Sequence, residues 1–340
     1  MIKNPLLALF AVSLLFSFDL ARVDAVAFQS KQDSPELAEA SQLSQKVVKL
    51  YGEKKYDEAI QLAKRALELR EKALGQDDPL VVSALNNLAL IYMATREYSD
   101  AEALYARALA AQEKTDGADS PKAADAIENL AWARYGLGKV SEATSMFERA
   151  LAIREKALGP FHADTGHALY NLARLHEKQG RPDKSLPFFQ RALEVKEKAL
   201  GPNHKEVGVL LDNYACALNQ AGKEKEADEL QKRAYTILRG DELRTEKIAP
   251  VASGVLKGKI IERHTPIYPE AARRARITGR MIVEVKVDET GKVIEARAKC
   301  GPDIFVNESV EAARRWRFTP TTLGGQPVKV IGTITFNYVP

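Results

Sequence analysis

"RALELREKALG", residues 65–75, decides the fold, because close copies of this stretch return at a fixed interval. The copies read RALAAQEKTDG at 107–117, RALAIREKALG at 149–159 and RALEVKEKALG at 191–201. Each copy begins 42 residues after the one before it. A constant period of this length indicates a repeat architecture, in which every copy belongs to one supersecondary unit.

Each period contains two amphipathic helical patterns joined by a short polar turn, which predicts a helical hairpin. One pattern carries the triplet Asn-Leu-Ala or Asn-Tyr-Ala, and the other carries alanines where two helices approach closely. We expect Ala66 to pack inward and Arg70 to face water. The glycine that closes each copy is predicted to end the second helix in a left-handed conformation. These glycines are Gly75, Gly117, Gly159 and Gly201.

The offsets of the leucine, small and aromatic positions resemble the tetratricopeptide repeat (TPR). A period of 42 alone would also suit HEAT or armadillo repeats. The stretch RALELREKALG at 65–75, followed by LNNLA at 85–89, resembles the long repeats of kinesin light chains. The resemblance covers residues 35–240, about five hairpins. It implies a mainly α fold: a TPR α-solenoid followed by a small α+β C-terminal domain.

TPR arrays bind peptides on the face built from their first helices, so the resemblance implies a peptide-binding groove. A recurring amide can hold a peptide backbone because it both donates and accepts hydrogen bonds. The alternative is that each asparagine bonds a neighbouring hairpin and only stabilises the stack; the sequence leaves both open. The candidate groove residues are Asn87, Asn129, Asn171 and Asn213, with Asp125, Glu128, Trp132, His167, Tyr170 and Arg174 beside them.

The N-terminal segment has the three-part pattern of a secretory signal peptide. Lys3 precedes a 14-residue apolar run, and Ala25 and Ala27 fit a small-x-small cleavage pattern. We therefore expect residues 1–27 to be a signal peptide and the protein to be periplasmic in a Gram-negative-type envelope. The alternative is an uncleaved anchor in the inner membrane. In an oxidising compartment, Cys216 and Cys300 could stay separate thiols, or could bridge if the two domains dock.

The 42-residue pattern stops near residue 240, and the period of the chain then changes. Residues 241–257 are polar with Pro and Gly, which predicts a linker. Residues 258–340 contain alternating strand patterns and two short helical patterns in the order helix, strand, strand, helix, strand. The order predicts a small α+β domain.

The C-terminal motifs resemble the C-terminal domain of TonB-family proteins. The matching residues are Tyr-Pro at 268–269, WRFTP at 316–320 and GQPV at 325–328. The resemblance implies that a short motif of an outer-membrane transporter adds as a strand to the edge of the last strand, residues 328–338. Energy-transducing members carry a membrane helix and a Pro-rich spacer. In this chain the apolar run is short and ends in a cleavage pattern, and TPR repeats occupy the position of the spacer. The candidate edge residues are Val328, Val330, Ile334, Phe336 and Tyr338.

No motif for catalysis, a metal or a cofactor is recognised, so an interaction protein is expected rather than an enzyme. His162 and His204 lie one period apart, which predicts a turn role. The net charge of +4 is too small to favour nucleic acid, and no small-molecule substrate is evident. The sequence predicts a periplasmic adaptor with protein partners, among them an outer-membrane transporter. The alternative is a membrane-anchored, TonB-type energy transducer.

Overall fold

The computed structural model describes residues 34–245, 249–250 and 260–339. The predicted signal segment, residues 1–27, lies outside the described residues. Contacts between residues divide the described chain into two compact units, one ending at Pro160 and one beginning at Phe161.

Within residues 34–160 of the first unit, six helices form three hairpins, because α1 packs on α2, α3 on α4 and α5 on α6. The helices are α1 (Pro35–Gly52), α2 (Tyr56–Leu74), α3 (Pro79–Thr95), α4 (Tyr98–Asp116), α5 (Pro121–Gly136) and α6 (Val140–Leu158).

The hairpins close on the small residues that the repeat pattern places between helices. Ala59, Ala101 and Ala143 have no exposed surface, so the helix backbones approach each other closely there. Phe147 is fully buried, and its ring lies edge-on to Trp132 with centroids 5.0 Å apart. Burying an aromatic side chain of this size contributes roughly 2–3 kcal/mol.

The glycine that closes each repeat ends its helix at the predicted place with a positive φ, but the predicted left-handed conformation is wrong. The φ angles at Gly75, Gly117, Gly159 and Gly201 are 83°, 92°, 87° and 89°. Their ψ angles, between 149° and 170°, differ from those of the usual left-handed cap. This backbone region is essentially restricted to glycine, which explains why the RALxxREKALG stretch keeps that residue at its end.

Side-chain caps begin the first helix of four hairpins. Asp78 accepts from the Leu80 N–H at 2.9 Å, and Ser120 accepts from the Ala123 N–H at 3.1 Å. At the same repeat position, the Nδ1 atoms of His162 and His204 accept backbone N–H groups at 3.2 and 3.3 Å. The two histidines therefore cap helices, and the predicted turn role is confirmed.

The second unit begins with two more hairpins, α7 with α8 and α9 with α10. Phe189 is fully buried between Tyr170, 6.1 Å away edge-on, and Tyr214, stacked at 5.5 Å. Gly208 in α9 allows close helix packing, since a Cβ atom there would lie 2.8 Å from Ile237. The helices are α7 (Ala163–Lys178), α8 (Pro182–Leu200), α9 (Lys205–Gln220) and α10 (Glu224–Thr245).

The C-terminal domain follows in the same unit, and its main elements have the predicted order α11, β3, β4, α12, β8. The sheet has the strand order β1-β8-β3-β4, with β8 and β4 antiparallel to β3. Small pairs β2–β5 and β6–β7 lie beside it. The elements are β1 (Ala249–Pro250), β2 (Ile260–Glu262), α11 (Glu270–Arg274), β3 (Gly279–Val287), β4 (Val293–Cys300), α12 (Val306–Arg314), β5 (Arg317–Phe318), β6 (Thr322–Leu323), β7 (Gln326–Pro327) and β8 (Val330–Tyr338).

Part of the predicted linker, residues 241–257, has regular structure. Helix α10 continues through Thr245, and β1 pairs in parallel with the start of β8 at Val330 and Ile331. The last strand begins at Val330, so Val328 lies outside it, with its N–H bonded to the Thr321 carbonyl at 2.9 Å.

Both faces of the sheet are covered. One face packs on α12 through Val283, Val285 and Trp316 in a single core. The opposite face of β3 carries Ile282, Glu284 and Lys286, which are all buried. Ile282 packs beside Cys216 of α9, and Glu284 bonds to Tyr235 and Arg239 of α10, while Lys286 pairs with Glu295 of β4 at 3.8 Å.

Candidate binding surfaces

The recurring asparagines differ in exposure along the chain. Asn129 and Asn171 are buried, whereas Asn87 and Asn213 are half-buried. The Asn213 amide donates to the Tyr170 hydroxyl at 3.0 Å and to the Val209 carbonyl at 2.8 Å, and it accepts from Arg174. Because Tyr170 and Arg174 belong to the preceding hairpin, Asn213 connects two hairpins.

Asp125 and Glu128 lie on α5, and both bind the guanidinium of Arg154 on α6. Glu128 is fully buried and lies 2.6 Å from Arg154, while the Asp125 side chain is half-exposed. Burial lowers the pKa of Arg154, but the two carboxylates outweigh it and hold that pKa above its usual value. Glu128 therefore stabilises a hairpin, and Asp125 is the member of the pair that solvent reaches.

Arg154 belongs to a repeat position that carries buried cations, and the expectation that Arg70 faces water is wrong. Arg70 is 2% exposed and donates to the Leu80 carbonyl at 3.3 Å. The next three copies carry Gln112, Arg154 and Lys196 at this position. Lys196 is buried and pairs with Glu206. The long aliphatic stems of these cations fill the space between helices while their charged ends find oxygen partners.

The remaining groove candidates of the second unit lie together on α7. The rings of His167 and Tyr170 have centroids 6.5 Å apart, and Arg174 forms an ion pair with Glu177 at 2.9 Å. Burial raises the pKa of Tyr170. In the first unit, Trp132 is half-buried against Phe147.

The candidate strand edge is formed by the backbone of β8. β8 pairs with β3 along its whole length, and β1 covers its other side only at Val330 and Ile331. Within the described residues, the backbone of 332–338 is therefore paired on one side alone. The side chains of Val330, Ile334, Phe336 and Tyr338 are buried in the domain core, so a ligand strand would contact this edge through backbone groups.

A contact that the sequence left open joins α9 to β4. Cys216 and Cys300 form a disulfide bond, and each cysteine is 5% exposed. Beside the bond, Lys299 forms an ion pair with Asp212 at 2.7 Å. Of the two alternatives for Cys216 and Cys300, separate thiols or a bridge between docked domains, the structure shows the bridge.

Glu284 is the centre of the same contact. Its carboxylate accepts from Arg239 of α10 at 2.9 Å and from Arg297 at 2.6 Å, and also from the Tyr235 hydroxyl. Burial raises its pKa, but Lys299 and Arg297 outweigh burial and hold the pKa of Glu284 below its usual value. Burial and the Glu284 charge raise the pKa of Tyr235 well above its usual value. A buried carboxylate facing three cations stays ionised at neutral pH.

Sequence reasoning did not select Asp212, Glu284 or Lys299 as functional residues. The available signals were weak: two cysteines in a chain with an export pattern, and a strand that alternates apolar with charged residues. Within the described residues, no helix is long and apolar enough to cross a bilayer, and no cluster of three or more metal-ligating side chains is found.

Comparison with known proteins agrees with both parts of this fold. Four overlapping stretches, 48–114, 80–156, 135–198 and 164–240, match a family model described as tetratricopeptide repeat. Residues 264–340 match the model described as Gram-negative bacterial TonB protein C-terminal. No curated protein matches the chain.

Solved structures with the same fold include kinesin-light-chain-type repeats. A Podosopora anserina protein described as a kinesin light chain with nearly identical TPR-like repeats is 22% identical, with a TM-score of 0.50. The match covers 63% of this chain and 99% of that one. BtubC (BKLC) of P. vanneervenii is 20% identical, with a TM-score of 0.52, over 75% of this chain and 98% of that one.

The repeat matches extend over residues 48–240, which is more than half of the chain, so the protein belongs to the tetratricopeptide repeat family. Its repeats are followed by a domain that matches the C-terminal domain of TonB. Both modules are typically non-catalytic and point to protein partners.

Proposed function

We propose that this protein is an exported, periplasmic adaptor with two binding surfaces. The TPR helices hold a peptide or protein partner, and the β8 edge holds a strand of an outer-membrane transporter or a similar envelope protein. The observation that carries the proposal is the backbone edge at 332–338, in a domain that matches the C-terminal domain of TonB.

Strand addition supplies affinity through main-chain hydrogen bonds and selectivity through neighbouring side chains. On β8, Thr333 and Thr335 are half-buried and Asn337 is exposed, so these side chains can contact a neighbouring strand. The other outer strand, β4, carries the charged residues Glu295 and Arg297, which discourage strand pairing at that edge.

Disulfide trapping tests which edge of the sheet binds the transporter strand. In the full chain, Asn337→Cys places a thiol on β8, and the matched control Ile294→Cys places one on exposed β4. The probes are peptides from the periplasm-facing N-terminal segment of an outer-membrane transporter, each with one cysteine at a successive position. We expect mixed disulfides with Asn337→Cys at alternate peptide positions. Equal trapping at both sites, or equal trapping of a scrambled peptide, would contradict the edge.

If the groove binds peptides, substitutions of Asn87 and Asn213 should differ in their effects on binding and stability. Asn87 is half-buried on α3, whereas the Asn213 amide is engaged with the preceding hairpin. Peptides selected from a random library on the full chain provide the probe. We expect Asn87→Ala to reduce their binding with little loss of stability, and Asn213→Ala to lower stability. If Asn87→Ala changes neither property, the groove proposal fails.

Export is tested by expressing the full chain in a Gram-negative host. The adaptor proposal expects a chain that begins at Phe28 and is released from membranes by alkaline extraction. A chain that keeps Met1 and resists extraction would instead support the alternative function, a membrane-anchored energy transducer.

A further inference from the structure

The register of the repeats shows which residues of a first helix face the following hairpin. In α7 these residues include Tyr170 and Arg174, because both contact Asn213 of α9. One period of 42 residues later, the corresponding residues of α9 are Asp212 and Cys216. A sixth hairpin would lie against these two residues.

Strand β4 of the C-terminal domain lies there instead. Lys299 pairs with Asp212 at 2.7 Å, and Cys300 is bonded to Cys216. The contact continues along α9, where Arg280 donates to the Asn219 carbonyl at 3.2 Å.

The second helix of the last hairpin joins the same contact. Tyr235 packs on Ile331 and donates to Glu284, and Arg239 pairs with Glu284 at 2.9 Å. Arg280 also reaches Glu224, at the start of α10, at 2.9 Å. Apolar packing, ion pairs and a covalent bond therefore act on one face of the last hairpin.

We propose that the C-terminal domain is the fixed end cap of the TPR array, and that the Cys216–Cys300 bond locks it in place. A TPR array needs its last hairpin covered, because each repeat buries its apolar face against the next. Here a β-sheet from another family provides that cover. The cap also covers the part of the predicted groove that the last hairpin forms. This consequence rests on the proposed function, whereas the cap itself is independent of it.

The lock closes by a two-electron oxidation. The two thiols form the S–S bond and pass two electrons and two protons to an oxidised disulfide partner, which becomes a dithiol. A dithiol reductant reverses the step. Thiol–disulfide exchange needs access to the sulfur atoms. Because both cysteines are 5% exposed, the domain must move away from α9 before a reductant can reach the bond.

The first measurement counts the thiols of the oxidised full chain by iodoacetamide labelling and mass spectrometry. We expect no labelled cysteine even after unfolding in denaturant without reductant. Two labelled cysteines under these conditions would overturn the lock.

The second measurement tests the cap without the covalent bond. Cys216→Ser leaves Cys300 as a thiol that is covered only while β4 stays on α9. We expect Cys300 in this variant to label at least about tenfold more slowly than in Cys216→Ser/Lys299→Glu, because local opening controls its access. The matched control is Cys216→Ser/Lys292→Glu, since Lys292 is exposed in the β3–β4 turn.

Equal, fast labelling in all three variants would overturn the cap. Hydrogen exchange over residues 35–158 is measured on the same samples and shows whether the first unit remains folded. If the full chain fails to bind the transporter peptides or the library peptides while Cys300 stays protected, the result contradicts the proposed function. The cap is then still supported.

Discussion

The two units each bury a cluster of charged side chains, and the two clusters are built in opposite ways. In the first unit, one buried cation, Arg154, lies between the carboxylates of Glu128 and Asp125. In the second, one buried carboxylate, Glu284, faces Arg239, Arg297 and Lys299. The first cluster joins the two helices of one hairpin, whereas the second joins two different kinds of domain.

In both clusters, the buried charge has more than one partner of opposite sign, and one of those partners reaches solvent. Asp125 is 51% exposed and Arg297 is 66% exposed, so each cluster has one member that water still hydrates. Removing one partner from such a cluster is far more costly than removing a whole pair.

Removal of the disulfide should have the largest effect, and only in the second unit. The bond closes a loop of 84 residues, for which chain entropy gives a stabilisation of about 4.5 kcal/mol at 25 °C. Cys216→Ser/Cys300→Ser should increase hydrogen exchange in α9 and β4. Exchange in α1–α6 should not change; an equal increase there would contradict the separation of the two units.

Loss of the buried Glu128 carboxylate should come next. Glu128→Leu leaves Arg154 with Asp125 as its only observed carboxylate partner and should cost about 3–4 kcal/mol. The double variant Glu128→Leu/Arg154→Leu should recover much of that loss. Urea unfolding of both variants checks this, and a double variant as unstable as the single one would refute the asymmetry.

Neutralising Glu284 should cost somewhat less, about 2–3 kcal/mol, since Gln keeps the shape and part of the hydrogen bonding. The pKa of Glu284 is lowered by folding, so its charge stabilises the folded state above pH 4.5, the usual value. That stability is lost as pH falls below 4.5 through the folded pKa. Unfolding measured from pH 7 to pH 3 should show a smaller acid dependence in Glu284→Gln than in wild type. Identical pH profiles would contradict an ionised Glu284.

A helix cap in the first unit should have the smallest effect. Ser120→Ala removes the acceptor of the Ala123 N–H and should cost about 1 kcal/mol. Ser120→Asp is the matched control, because it keeps an acceptor at the same place. A loss in Ser120→Asp as large as that in Ser120→Ala would show that the cap is not the cause.

Local features of the repeats could be predicted because the sequence repeats them. The closing glycines, the packed alanines and the capping histidines each recur every 42 residues, and a helix is determined largely by neighbours within one turn or two. The burial of Arg70 could not be predicted in this way. Hydropathy places an arginine in water, and it contains no information on the Leu80 carbonyl of the next helix, which accepts a hydrogen bond from Arg70.

The candidate surfaces could be predicted only in part. The order of the main elements along the chain and the presence of a last strand followed from the sequence patterns, but the sheet order, the small β1 strand and the start of β8 at Val330 did not. The roles of the recurring asparagines also diverged, because the same amide meets a different neighbour at each repeat. At Asn213 that neighbour is the Tyr170–Arg174 pair.

By itself, the sequence determined a TPR array with a TonB-like domain after it, because both follow from periodicities and motifs read along the chain. Only the tertiary structure decided that Cys216 meets Cys300 and that Glu284 is buried among cations. The disulfide and the hydrogen bonds of Glu284 with Tyr235 and Arg239 join residues 45 or more positions apart, so they depend on how a sheet face and a helical hairpin dock. Such docking is governed by shape and charge complementarity between surfaces, which a linear pattern does not contain.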